Sequence, residues 1–102
     1  MTPHKYQLLH LKADKMRELS FLPYNEEKFD LNNYKVAYEG QIESDCSTIE
    51  ILEHLYERFN ISKPADYNGH SLSVSDVVVL DNVAYYCDHI GWERIKKTIS
   101  HI

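Results

Sequence analysis

The sequence predicts an α+β domain in which a small, mainly antiparallel sheet carries one principal helix. Three patterns support this class: a capped amphipathic segment, a triple-valine segment that a short turn joins to a second apolar segment, and two strand-like segments nearer the N-terminus. A chain of 102 residues is long enough for one modest core. At this size, folding removes roughly 60–70% of the unfolded surface from solvent. We therefore expect a single domain over residues 1–102.

The segment STIEILEHLYERFN predicts the principal helix, over about residues 48–59. Ser47 and Glu50 have the spacing of a capping box, in which each side chain accepts a hydrogen bond from the other residue's backbone N–H. Asn60 is a suitable stop. Apolar side chains recur at helical intervals and predict one buried stripe: Ile51, Leu52, Leu55, Tyr56 and Phe59.

Two apolar segments near the C-terminus predict a hairpin. Residues 75–80 and 83–89 flank the pair Asp81 and Asn82, whose residue types accept the positive φ angles of a two-residue turn. Alternate side chains of the VVVL segment point to opposite faces, and all four are apolar. Both faces of this strand must be covered, so we expect it at the centre of the sheet with the helix on one face.

The N-terminal half predicts two more strands and a short helix. YQLLHLK, residues 6–12, is a short apolar strand. Pro23 would interrupt a long helix, so we expect a turn before it and a helix over about residues 24–30. After Gly91 the chain can form either a short strand or a helix. NYKVAYEGQI is a half-buried strand in which two sets of side chains alternate: Tyr34, Val36 and Tyr38 against Lys35, Ala37 and Glu39.

Composition and charge restrict the class of partner. Sixteen acidic and eleven basic residues give a net charge of -5, so direct nucleic-acid binding is not expected and a charged partner should be cationic. No apolar run approaches the ~20 residues that cross a bilayer. His10 and Lys12 interrupt the N-terminal apolar segment, which excludes a signal peptide. Two cysteines are too few for a disulfide framework, and we expect a cytoplasmic protein.

A family pattern is visible in FNISKPADYNGHSLSVSDVVVLDNVAYYCDHIGWERI. A Phe-Asn pair precedes Pro64, a block runs from Gly69 to Val77, and a tail contains Tyr85, Tyr86, Asp88, Gly91 and Trp92. These features resemble the YodL-like domain, a small family found in proteins of plasmids, conjugative transposons and other mobile elements of Firmicutes. The segments YQLLHLK, FLPY and YKVAYEG also lie in family order, so the likeness covers most of the chain. The family has no established catalytic activity, so the resemblance implies none for this chain.

Cys87 and His89 depart from the family pattern, which has an aliphatic and a small polar residue there. In a strand, side chains two residues apart share a face, and two residues of extended chain span about 6–7 Å. The Cys87 thiolate and the His89 imidazole could therefore bind one metal ion. Cys46 at the helix entrance is the best third ligand, with other donors available: His70, Asp45 and His54. Thiolate and imidazole favour structural zinc over calcium or magnesium. The alternative is a thiol buried for packing beside an exposed imidazole.

The block HSLSVSD contains the residue types of a Ser-His-Asp triad, but no Gly-x-Ser-x-Gly elbow accompanies it. We therefore expect no enzyme. An unpaired buried amide costs roughly 1–3 kcal/mol, so polar side chains are needed where a loop enters a buried sheet. The expected suppliers of these hydrogen bonds are Ser71, Ser73, Ser75 and Asp76.

The interval between Val36 and Glu57 lacks lysine and arginine and is rich in carboxylates. Besides Glu39, these are the candidate partner-binding residues Glu43, Asp45, Glu50, Glu53 and Glu57. The last three share the helix face opposite the apolar stripe. They form either a solvated face, favoured at its N-terminal end by the helix dipole, or an anionic patch that meets a cationic groove.

Small acidic proteins of mobile elements include inhibitors of host defence, among them anti-CRISPR proteins that act on Cas9. By this analogy we expect a protein that binds a host defence nuclease, with Cas9 or its guide-RNA complex as the best guess, and blocks nucleic-acid access. The alternative is a structural or targeting module for conjugation or plasmid maintenance. A Ser/His/Asp hydrolase is a third hypothesis.

Overall fold

The computed structural model describes residues 1–96 and has the predicted α+β fold, a five-stranded antiparallel sheet with helices. Its strands are β1 (Pro3–Leu11), β2 (Tyr34–Glu43), β3 (Val77–Leu80), β4 (Val83–Cys87) and β5 (Trp92–Arg94), and its helices are α1 (Ala13–Leu19) and α2 (Thr48–Asn60). A short 3₁₀ helix, Leu31–Asn33, precedes β2. The spatial order is β2-β1-β3-β4-β5, so β3 lies at the centre as predicted. Within the described residues, neither α-helix is long and apolar enough to cross a membrane.

The hairpin between β3 and β4 confirms the prediction from the Asp-Asn pair. Asp81 has φ 50° and Asn82 has φ 69°, the left-handed values that a two-residue turn between twisted strands requires. The second strand ends at Cys87, two residues earlier than expected. Gly91, with φ 78°, then reverses the chain, and the segment after it forms the short strand β5 on the edge of the sheet.

The valines and leucine of β3 divide the core into two layers, as their alternation predicts. Val78 and Leu80 pack with α2 and the inner side chains of β1 on one face. Val77 and Val79 lie on the other face, which the segment before β2 covers with Phe29. All four residues of β3 are buried, because both faces are covered.

The capping box of α2 is formed as predicted. The Ser47 hydroxyl accepts a hydrogen bond from the Glu50 N–H at 3.3 Å, and a Glu50 carboxylate oxygen accepts one from the Ser47 N–H at 3.2 Å. The buried stripe consists of Ile51, Leu52, Leu55 and Phe59. Tyr56 was expected in this stripe and is instead exposed, because its position lies at the margin of the buried arc.

The helix predicted over residues 24–30 is wrong. Residues 26–28 form a turn, in which the Asn25 side-chain oxygen accepts hydrogen bonds from Glu27 N–H at 3.1 Å and Lys28 N–H at 3.3 Å. An asparagine side chain that bonds the backbone in this way competes with helix formation. The helix of this region, α1, lies before Pro23 and has no buried residue, so no apolar stripe indicates it.

Strand β2 is confirmed, but its simple alternation is interrupted by a β-bulge. Leu8 pairs with Tyr38 and Leu9 pairs with Val36, so Ala37 is the extra residue on β2. The bulge shifts the alternation by one residue, and therefore Val36 is exposed while Ala37 packs against the core layer that contains α2.

Candidate functional site

The exposed face of α2 carries the carboxylates that the sequence singled out. Glu50, Glu53 and Glu57 recur three and four residues apart and are all exposed. With 3.6 residues per turn, they lie opposite the stripe that packs on the sheet. Glu43, at the end of β2, and Asp45, in the connection to α2, are also exposed. We name Glu50, Glu53 and Glu57 the acidic face.

The carboxylates of this region differ in the hydrogen bonds that they form within the protein. Glu50 belongs to the capping box, and its hydrogen bonds from the backbone and side chain of Ser47 lower the pKa of its carboxyl group. Asp45 accepts hydrogen bonds at 3.0 Å from the backbone and side chain of Thr2. Among residues 1–96, the carboxylates of Glu53 and Glu57 take part in no hydrogen bond or ion pair. With Glu43, whose carboxylate is likewise exposed and forms no hydrogen bond or ion pair within residues 1–96, these are the carboxylates most available to a partner.

Apolar and aromatic side chains lie beside the acidic face. Ile49 is 54% exposed and Tyr56 is 40% exposed, and both lie on the same side of α2 as Glu53. Interface cores are enriched in tyrosine, while charged residues surround them. The outer side of α2 thus combines the two kinds of group that a protein-binding helix needs.

The block HSLSVSD forms the loop that enters β3, and Asp76 is its central polar residue. Asp76 is 2% exposed and accepts hydrogen bonds from the Ser73 N–H at 2.8 Å and the Ser73 hydroxyl at 3.4 Å. For Asp76, the expected role of accepting a hydrogen bond from a backbone donor of the loop is confirmed, and this donor is partly buried. Ser75 is buried, and its backbone N–H bonds to the Cys87 carbonyl oxygen at 2.9 Å. Its φ of 86° places it in the left-handed region, so this entry to the sheet is a strained turn.

The histidine that faces Asp76 is His10 of β1, which sequence reasoning treated only as an interruption of an apolar segment. Its Nδ1 lies 2.9 Å from Asp76 Oδ1, and both side chains are 3% exposed. The ring of His70 stacks on that of His10, with centroids 3.6 Å apart. Side-chain ligand atoms of these three residues lie within 4.8 Å of one another. The feature of the sequence that could have indicated this contact is a lone histidine in an otherwise apolar strand.

The metal ligands predicted from the sequence lie in different settings. Cys46 is exposed beside the start of α2, whereas Cys87 is buried at the end of β4. Burial, followed by the charge of Asp76, raises the pKa of the Cys87 thiol to about 12. His89 donates from Nε2 to the Phe21 carbonyl oxygen, 2.8 Å away. In the described part of the chain these three residues do not form one ligand group, and the group that does form is His10, His70 and Asp76.

A small cavity of about 290 Å³ opens beside the HSLSVSD block. Its walls include His70, Ser73 and Asp76 on one side and Met16 and Phe21 on the other. Phe21 is 62% exposed and has φ 65°, a conformation that a bulky residue rarely adopts. The cavity is therefore a mainly apolar recess that includes a few polar side chains and has the exposed Phe21 at its wall.

Comparison with known proteins identifies one family. The model of the family described as the YodL-like domain matches residues 5–97, which is most of the chain. The match spans both the acidic face and the block from Gly69 to Val77. No curated protein and no solved structure matches the chain.

Proposed function

This chain belongs to the YodL-like domain family, and from that premise we propose that it is a protein-binding inhibitor of a host defence nuclease. In this proposal the acidic face occupies a cationic groove that otherwise holds nucleic acid. Cas9, alone or with its guide RNA, is the leading candidate partner, and the encounter takes place in the cytoplasm. The observation that carries the proposal is the exposure of Glu50, Glu53 and Glu57 on the side of α2 opposite the core.

The charge distribution supports a cationic partner. No lysine or arginine occurs between Val36 and Glu57, so the carboxylates from the end of β2 through most of α2 are not interrupted by cations in sequence. A surface with one sign of charge accelerates association with an oppositely charged groove, and salt weakens this effect. The net charge of -5 adds to the attraction.

Binding, and not hydrolysis, is the role that the surroundings of the HSLSVSD block favour. The carboxylate of Asp76 faces His10, and Nδ1 of His70 bonds to the Ser71 carbonyl oxygen at 2.8 Å. A triad needs a histidine that bonds both the serine and the aspartate. If Ser73→Ala abolished a hydrolytic activity of the folded protein, the hydrolase hypothesis would replace this proposal.

The direct test is binding of the purified protein to purified Cas9 with and without guide RNA, followed by the double variant Glu53→Lys/Glu57→Lys. Glu50 is left intact, because its substitution would also break the capping box of α2. An exposed charge contact contributes up to ~1 kcal/mol, so reversal of two charges should weaken the complex about tenfold or more. Higher salt should weaken the wild-type complex more than the variant complex.

A matched control separates the acidic face from total charge. Glu18→Lys/Glu93→Lys makes the same change in net charge at exposed positions of α1 and β5 and should leave affinity within about twofold. Equal losses in both variants would contradict a role for the acidic face. Absence of any complex with Cas9 would exclude that partner, and pull-down of host proteins by the wild type but not by Glu53→Lys/Glu57→Lys would then identify another.

A second candidate function is a structural or targeting module for conjugation or plasmid maintenance. Three apolar side chains are exposed and favour this function: Phe21, Leu22 and Ile90. Binding in a cationic groove does not require them, whereas an apolar contact with another protein would bury them. This module would bind a partner encoded on its own mobile element. If binding to such a partner persists in Glu53→Lys/Glu57→Lys but is lost in Phe21→Ser, the result would favour the module over the inhibitor.

A further inference from the structure

We propose that His10, His70 and Asp76 bind a divalent first-row transition-metal ion, with zinc as the leading candidate. His10 comes from β1, whereas His70 and Asp76 come from the connection between α2 and β3, where Asp76 directly precedes β3. Their ligand atoms converge within 4.8 Å. We name these three residues the His–Asp cluster.

Hydrogen bonds determine which nitrogen of His10 carries a proton. The Tyr67 hydroxyl lies 2.5 Å from the His70 carbonyl oxygen, which can only accept, so the hydroxyl donates its single proton there. His10 Nε2 lies 2.6 Å from the same hydroxyl oxygen and must therefore be the donor to it. A neutral His10 with its proton on Nε2 presents a lone pair at Nδ1.

The lone pair of His10 Nδ1 faces a carboxylate oxygen in a buried site. Nδ1 lies 2.9 Å from Asp76 Oδ1, and yet it forms no hydrogen bond with any residue that the structure describes. Two buried acceptors at this distance repel each other in surroundings of low dielectric. A proton on Nδ1 would need a well-directed N–H···O bond, which the contact does not provide. A metal ion bound by both atoms satisfies the nitrogen and the oxygen together.

His70 supplies the third donor at the surface of the site. Its Nδ1 bonds to the Ser71 carbonyl oxygen at 2.8 Å, which assigns the ring proton to Nδ1 and leaves the Nε2 lone pair available. His70 is exposed, whereas His10 and Asp76 are buried. The two inner ligands are thus held by the core, whereas the outer imidazole, which stacks on His10, has to reorient for Nε2 to reach the ion.

The donor set indicates the class of ion. Two imidazoles and one carboxylate suit zinc and related first-row ions, whereas calcium and magnesium prefer sites made of oxygen alone. The hydrogen bond from His10 Nε2 to the Tyr67 hydroxyl is the outer contact that orients a ligating histidine. The cavity of about 290 Å³ beside His70 and Asp76 leaves room for water or an anionic group as a further ligand.

The test is titration of chelator-treated protein with zinc chloride, followed by calorimetry. The wild type should bind one equivalent, and His70→Ala should bind at least about 100-fold more weakly, since even outer contacts contribute 10–100-fold to metal affinity. His54→Ala removes an exposed histidine of α2 and should bind as the wild type does. Equal affinity of the wild type and His70→Ala, or absence of binding by the wild type, would overturn the proposal.

Two further variants distinguish this ligand set from the one predicted on the cysteines. Cys46→Ser/Cys87→Ser should retain zinc affinity, and cobalt bound to the wild type should lack thiolate charge-transfer absorption. Loss of zinc binding in the double cysteine variant would contradict the His–Asp cluster. Tyr67→Phe keeps the ring but removes the hydroxyl that orients His10, and we expect a 10–100-fold loss of affinity without unfolding.

Discussion

At the scale of the residue, burial decides the chemistry of the two cysteines. Cys46 is exposed, whereas Cys87, the last residue of β4, is buried beside the strained turn at Ser75. Burial disfavours the thiolate of Cys87 and raises its pKa to about 12. Because the thiolate is the nucleophile and the metal ligand, we expect Cys87 to be unreactive as long as the sheet is intact.

The first prediction concerns thiol labelling. With iodoacetamide at about pH 8, Cys46 should react in the folded protein and Cys87 only after addition of denaturant. Mass spectrometry of the intact protein should show one modification without denaturant and two with it. Labelling of Cys87 at the rate of Cys46 in the folded protein would show that the end of β4 is open to solvent.

The pairing of His10 with Asp76 is the site that the sequence did not reveal. His10 lies on β1 and Asp76 directly precedes β3, and these strands are adjacent in space but far apart in sequence. The sequence pattern gave Asp76 only the role of bonding the backbone of its own loop. Asp76 was identified as a buried polar residue because it precedes an apolar strand. Its partner could not be identified, since the pairing of β1 with β3 depends on the whole fold.

At the scale of the element, local signals predicted α2 and the hairpin, because each has its own start, stop and periodicity. The capping box, the buried stripe and the positive φ values of Asp81 and Asn82 all follow from residue types at fixed spacing. Helix α1 carries no such signal, since it has no side-chain cap and no buried residue. The helix expected over residues 24–30 failed because the Asn25 side chain forms a turn there.

The element scale gives a prediction for the cap of α2. Ser47→Ala removes the acceptor for the Glu50 N–H and should lower the free energy of unfolding by about 1 kcal/mol. Thr48→Ala, at the next exposed position, is the control and should change stability by less than about 0.5 kcal/mol. Urea denaturation followed by circular dichroism measures both. Equal losses in the two variants would contradict a specific role for the Ser47 hydroxyl.

At the scale of the whole molecule, the proposed functions belong to different parts of the fold. One face of the sheet carries α2, which leaves the acidic face pointing to solvent, and the His–Asp cluster lies where β1 meets the entry to β3. The apolar side chains on both faces of β3 were sufficient to predict its central position. The bulge at Ala37 was not predictable, because the register of β2 depends on its pairing with β1.

Competition with target DNA tests whether the acidic face occupies the path of nucleic acid on the nuclease. Cas9 with guide RNA is incubated with the protein, labelled target DNA is added, and bound DNA is measured. We expect the wild type and Glu18→Lys/Glu93→Lys to prevent DNA loading, whereas Glu53→Lys/Glu57→Lys should do so only at a concentration about tenfold higher or more. A ternary complex in which the wild-type protein and the target DNA are bound to the nuclease together would contradict it.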